Sequence, residues 1–86
     1  MRIELAKFGR VLTSRPSGRE AHAAIQPTLG ADIQDIEIDF TGVLSLSPSW
    51  ADEFFTALKA RYGDRVRFLP SDNPSVKATL KILGLS

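Results

Sequence analysis

The sequence predicts a small α/β domain with a mostly parallel sheet of about four strands, an N-terminal hairpin and helices mainly on one face. Three observations carry that prediction. Apolar residues alternate with charged ones in short segments, as in half-buried strands: Ile36, Ile38 and Phe40 around Glu37 and Asp39, and Val66 and Phe68 beside Arg65 and Arg67. Between them Ala51, Phe54, Phe55, Leu58 and Tyr62 recur at helical spacing. Strands and helices take turns along the chain, which favours parallel crossovers.

Each element has its own local cause. Ile3 and Leu5 alternate with Arg2, Glu4 and Ala6, giving a first strand. Phe8-Gly9 can turn the chain, and Arg10 to Thr13 is expected to return as the second strand of a hairpin. Pro16 breaks the chain and Ser17 is placed to cap a helix over Arg19 to Gln26, which Pro27 disrupts. The middle strand ends at Phe40, and Thr41-Gly42 leads into a loop, Val43 to Leu46. Ser47-Pro48 starts the next helix, because serine is a favoured cap and proline suits the first helical position. Asp52 and Glu53 early and Lys59 and Arg61 late match that helix's dipole, and Gly63 stops it. Asn73-Pro74 repeats the cap-then-proline signature before a last helix marked by Val76, Leu80 and Leu83, which Gly84 ends. The expected order is β-β-α-β-α-β-α. Strands buried on both faces would be continuous apolar runs. Alternation instead leaves Glu4, Glu37, Asp39, Arg65 and Arg67 on an open face, as ion pairs across strands or as a partner surface.

Composition bounds the function. The chain has 86 residues, enough for one domain spanning 1–86. At that size folding buries only about 60–65% of the exposable surface. Eleven basic residues against ten acidic give a net charge of +1, no footprint for nucleic acid or an anionic membrane. There is no cysteine, hence no disulfide, thiolate metal site or cysteine nucleophile, and His22 is the only histidine. The N-terminus lacks an apolar run typical of a signal peptide, and no stretch reaches the roughly 18 apolar residues of a membrane span. A cytoplasmic protein, of bacterial origin, is expected.

Chemical motifs are sparse. No glycine-rich phosphate loop and no Gly-x-Ser-x-Gly elbow is present, so no cofactor is expected. Asp39 and Asp52 could meet near the end of the middle strand, although carboxylates at helix starts are usually structural. The informative stretch runs from Asp39 to Glu53: strand, loop, helix start. Open α/β sheets place ligand and partner sites at the carboxyl ends of strands. Ser47 is accounted for as a cap, and Ser49 is the freer hydroxyl. Trp50, the only tryptophan, is either a core residue or a binding anchor.

The same stretch resembles the STAS domain, the fold of anti-anti-sigma factors. That family shows a strand ending in Asp, a Ser/Thr-Gly-Val turn, then Asp-Ser-Ser-Gly opening a helix. Asp39, Thr41, Gly42 and Val43 match the first part, and Ser47-Pro48-Ser49-Trp50 falls on the second. Asn73-Pro74-Ser75-Val76 and Leu83-Gly84-Leu85 resemble the family's end, and a hairpin around Gly9 its beginning. The chain is closer still to the STAS-like family of uncharacterised function. Asp39-Phe40-Thr41-Gly42-Val43 and Trp50-Ala51-Asp52-Glu53 resemble that family's motifs, as do Phe8-Gly9 and Ser14-Arg15.

The resemblance implies a non-catalytic, partner-switching regulatory module that binds a kinase-like ATPase of the anti-sigma type, itself a monomer or weak homodimer. The implied surface comprises Leu44, Ser45, Leu46, Ser47, Ser49, Trp50 and Glu53. Pro48 stands where phosphoregulated members carry the acceptor serine, so phosphorylation is expected to be absent or confined to Ser49. Two other classes are left open: a small-ligand binder or small enzyme using Asp39, Ser47, Ser49 and Asp52, and a purely structural or dimerising domain.

Overall fold

The fold is that of a computed structural model describing residues 1–85. It is α/β, as predicted. Three parallel strands, β1 (Arg2–Glu4), β3 (Ile36–Asp39) and β5 (Val66–Phe68), form a sheet in the order β1-β3-β5. Ile3, Ile38 and Phe68 lie in one row across it. A second parallel pair joins β2 (Val11–Leu12) to β4 (Ser45–Leu46).

The expected hairpin does not form. Leu5–Phe8 winds into a 3₁₀ turn that lifts the chain off the sheet, so β1 pairs with β3 and β2 pairs with β4. Leu46 thus belongs to a strand rather than a loop. The strand count in the main sheet falls from about four to three.

Helix α1 (Arg15–Ile25) starts a turn earlier than its sequence suggests. Ser14, not Ser17, is the cap, and its side chain accepts from the Ser17 N–H. Gly18 lies inside this helix because α1 crosses the next helix there. A Cβ at Gly18 would sit 2.5 Å from the Trp50 carbonyl oxygen.

The second long helix is continuous but not uniform. It runs as α2 (Pro48–Ala51), a π-helical stretch (Asp52–Thr56) and α3 (Ala57–Tyr62). A π-bulge adds a residue to one turn and rotates the faces on either side. Trp50, Ala51, Phe54, Phe55, Leu58 and Tyr62 are all buried. Trp50 stacks on Phe54 at 5.0 Å, and Phe55 meets Phe68 edge-on at 5.1 Å and Phe40 at 6.1 Å. These aromatic contacts weld the helix to the sheet. Helix α4 (Pro74–Ile82) follows β5 and presents Val76, Thr79 and Leu80 inward.

The opposite face of the sheet is polar, as the alternation predicts. Ile36, Ile38, Phe40 and Val66 are buried, Glu37 is half-buried and Arg67 exposed. Arg2 pairs with Asp39 at 3.9 Å, and Arg67 with Asp35 at 3.2 Å. Arg65 does not join that face. It lies in a 3₁₀ turn before β5, and its guanidinium donates to the Ile33 carbonyl at 2.8 Å.

Candidate functional site

The turn after β3 is built by one carboxylate. Asp39 Oδ1 accepts from the Thr41 N–H at 3.0 Å and from the Thr41 hydroxyl at 2.8 Å. These donors, the backbone one foremost, hold the Asp39 carboxyl below its usual range. Gly42 then takes φ +88°, open to glycine without strain, and a Cβ there would come within 3.2 Å of Ala6 Cβ.

The segment that follows is tied down from both sides. Leu44 N–H donates to the Arg10 carbonyl at 2.8 Å, and Ser47 N–H to the Leu12 carbonyl at 2.9 Å. From the other side, Asn73 Nδ2 donates to the Val43 and Leu44 carbonyls, both at 3.0 Å. The same Asn73 caps α4 through Oδ1, which accepts from the Ser75 and Val76 N–H groups. Ser75 Oγ accepts from Leu46 N–H at 2.7 Å, and Thr79 Oγ1 donates to the Leu46 carbonyl at 2.7 Å. A segment expected to be a loop is therefore a fixed platform. Its anchors Asn73, Ser75 and Thr79 escaped the sequence reading, although the Asn73-Pro74 signature located the helix that carries them.

On this platform the residues singled out from sequence separate. Leu44 is 63% exposed. Ser45, Ser47, Ser49 and Glu53 are half-buried. Leu46 is buried in the core, and Trp50 is fully buried. An exposed anchor at Trp50 is thus corrected. Its ring fills the space between Phe8, Phe54 and Phe55. Its indole N–H has no hydrogen-bond partner among the described residues. The residue the sequence passed over is Val11, 61% exposed and paired in register with Ser45.

Ser47 is the N-cap, as expected. Its hydroxyl accepts from the Trp50 N–H at 3.2 Å and donates to the Thr13 carbonyl at 2.6 Å. Asp52 receives Arg15 at 2.9 Å and the Thr56 hydroxyl at 2.8 Å. The Arg15 bond is the main reason that its carboxyl sits below the usual range. Glu53 is shared by Arg15 at 3.2 Å and Arg19 at 3.4 Å. Among the described residues Asp39 and Asp52 share no hydrogen-bond partner: Asp39 holds the Thr41 turn, and Asp52 bonds Arg15 and Thr56. Among the described residues no group of three His, Asp or Glu side chains is placed to hold a metal ion. No helix among them is long and apolar enough to cross a membrane. A cleft of about 290 Å³ opens between the Thr41–Val43 turn and Pro70–Asn73, at the carboxyl ends of β3 and β5.

Comparison with protein families matches residues 17–86 to the STAS-like domain of unknown function (DUF4325). The chain belongs to this STAS-like family. The matched region begins inside α1 and takes in the Asp39 turn, the Ser47 cap and the Asn73 cap, so it contains most of the platform. The comparisons with curated proteins and with solved structures found no match.

Proposed function

We propose that this STAS-like chain is a non-catalytic, protein-binding regulatory module of the partner-switching type, acting in the cytoplasm of a bacterium. Its partner is a kinase-like ATPase of the anti-sigma type. The binding surface runs from Val11 and Leu44 through Ser45 to the helix start at Ser47 and Ser49, with Glu53 a turn further on. One observation carries the reading. Val11 and Leu44 are large apolar residues, 61% and 63% exposed, carried on the adjoining β2 and β4 segments, whose backbone is held rigid. A partner loses little entropy in docking on such a preformed patch. The module binds without a phospho-switch at Pro48, which offers no hydroxyl, or at Ser47, whose hydroxyl is committed to the cap. Ser49 is the one hydroxyl of the helix start left for modification.

The test is calorimetric titration with a kinase-like ATPase of the anti-sigma type from the same organism. Leu44→Asp is expected to weaken binding by about tenfold or more, equivalent to about 1.4 kcal/mol. Unchanged affinity in both Leu44→Asp and Val11→Asp, with the fold intact by circular dichroism, overturns the proposed surface.

A further inference from the structure

A second surface shares no lining residue with the Val11–Leu44 surface. β5 is an outer strand, and a groove of about 630 Å³ runs along it, between the strand, Lys59 and helix α4. That volume falls within the usual range for ligand sites, about 300–1,000 Å³. Its floor is apolar: Phe68, Leu69, Leu80 and Leu85.

Two independent features define what fits. The first is backbone. Leu69 N–H donates to the Ile38 carbonyl, so peptide groups alternate and those of Phe68 point outward, to the free edge. An outer strand with unused N–H and C=O groups is a template for one more strand. The second is charge. Among the described residues Lys59, Arg67, Lys77 and Lys81 line the groove and no carboxylate side chain does, in a chain whose net charge is only +1. Arg67 already pairs with Asp35 at 3.2 Å. The three lysines have no ion pair among the described residues. Lys77 and Lys81 are four apart on α4, a spacing at which like charges repel. Lys77 also sits in the positive half of the helix dipole.

We infer that this groove binds an extended acidic–apolar segment of a partner protein, added as a strand to β5. Its apolar side chains enter the floor and its carboxylates meet Lys77, Lys81 and Lys59. Main-chain bonds to Phe68 supply affinity, and the lysines select acidic sequences.

The test pans a phage library of random eight-residue peptides against the full chain and against a Lys77→Glu/Lys81→Glu variant. Both lysines are exposed, and circular dichroism verifies that the variant folds. Peptides combining apolar and acidic residues should be enriched on the native chain. The double variant should weaken the best of them by about tenfold or more. N-methylation at alternate positions of that peptide should abolish binding in one register and spare the other. Amide NMR shifts should centre on Phe68 and α4. Three results overturn the inference: no acidic enrichment, affinity indifferent to the charge reversal, or shifts centred on Leu44 and Val11. Decanoate reproducing the Phe68 shifts while no peptide is selected also overturns it, making the groove a site for small acids.

Discussion

Trp50 and Ser47 show how far a single residue's chemistry can be taken. A tryptophan in the first turn of a helix fits two roles equally well on sequence, and burial settles it as core. Trp50→Ala is therefore expected to destabilise the whole domain by about 3–5 kcal/mol. A partner would then be lost through unfolding, not through a missing contact. Denaturant melts decide this: a near-wild-type midpoint would contradict the core assignment. Ser47 was legible in advance, since a serine before proline at a helix start has few other uses. Ser47→Ala is expected to cost about 0.5–2 kcal/mol, and Ser49→Ala distinctly less. Equal costs in parallel melts would remove the cap assignment. The bond from the Ser47 hydroxyl to Thr13 was not legible, because Thr13 is 34 residues away.

At the scale of elements, local signals placed helices well and strand partners poorly. Proline and a capping side chain marked the starts of all the long helices, with α1 displaced because two serines flank its proline. Strand pairing depends on where the chain goes next. The 3₁₀ turn at Leu5–Phe8 redirected β2 away from β1, and nothing in a two-residue strand resists that. Gly18 makes the same point for helix packing. A glycine inside a helix normally destabilises it relative to alanine. Here alanine should be the worse residue, since its Cβ would strike the Trp50 carbonyl. Gly18→Ala is expected to cost about 1–3 kcal/mol through forced separation of α1 from α2. A variant at least as stable as the native chain in thermal melts would show that the helices do not cross so closely.

For the molecule as a whole, ion pairs tie α1 to the helix behind the platform. Arg15 spans Asp52 and Glu53, and Arg19 joins at Glu53. Asp52 has a lowered pKa in the folded state, so it favours folding when ionised. That contribution is full above the ordinary carboxylate range and is lost as pH falls through the lower folded value, below about pH 4. Asp39 acts with the same sign. Asp52→Asn is accordingly expected to flatten the acid limb of stability while changing little of its slope at neutral pH. An unchanged acid limb, measured by denaturant melts from neutral to acid pH, would show that the Arg15 pair does not persist in solution.

What the sequence determined by itself was the α/β class, the polar and apolar faces of the sheet, the cap at Ser47 and the Asp39-to-Glu53 stretch that carries the family resemblance. These follow from periodicity and capping, which act over a few residues. The tertiary structure alone decided the pairing of β2 with β4, the burial of Trp50, the exposure of Val11 opposite Ser45, and the rigid platform that Asn73, Ser75 and Thr79 hold. Each depends on groups some thirty residues apart meeting in space. No local pattern of side chains encodes such meetings, because hydrogen bonds and burial reward proximity in the folded chain whatever the separation along it.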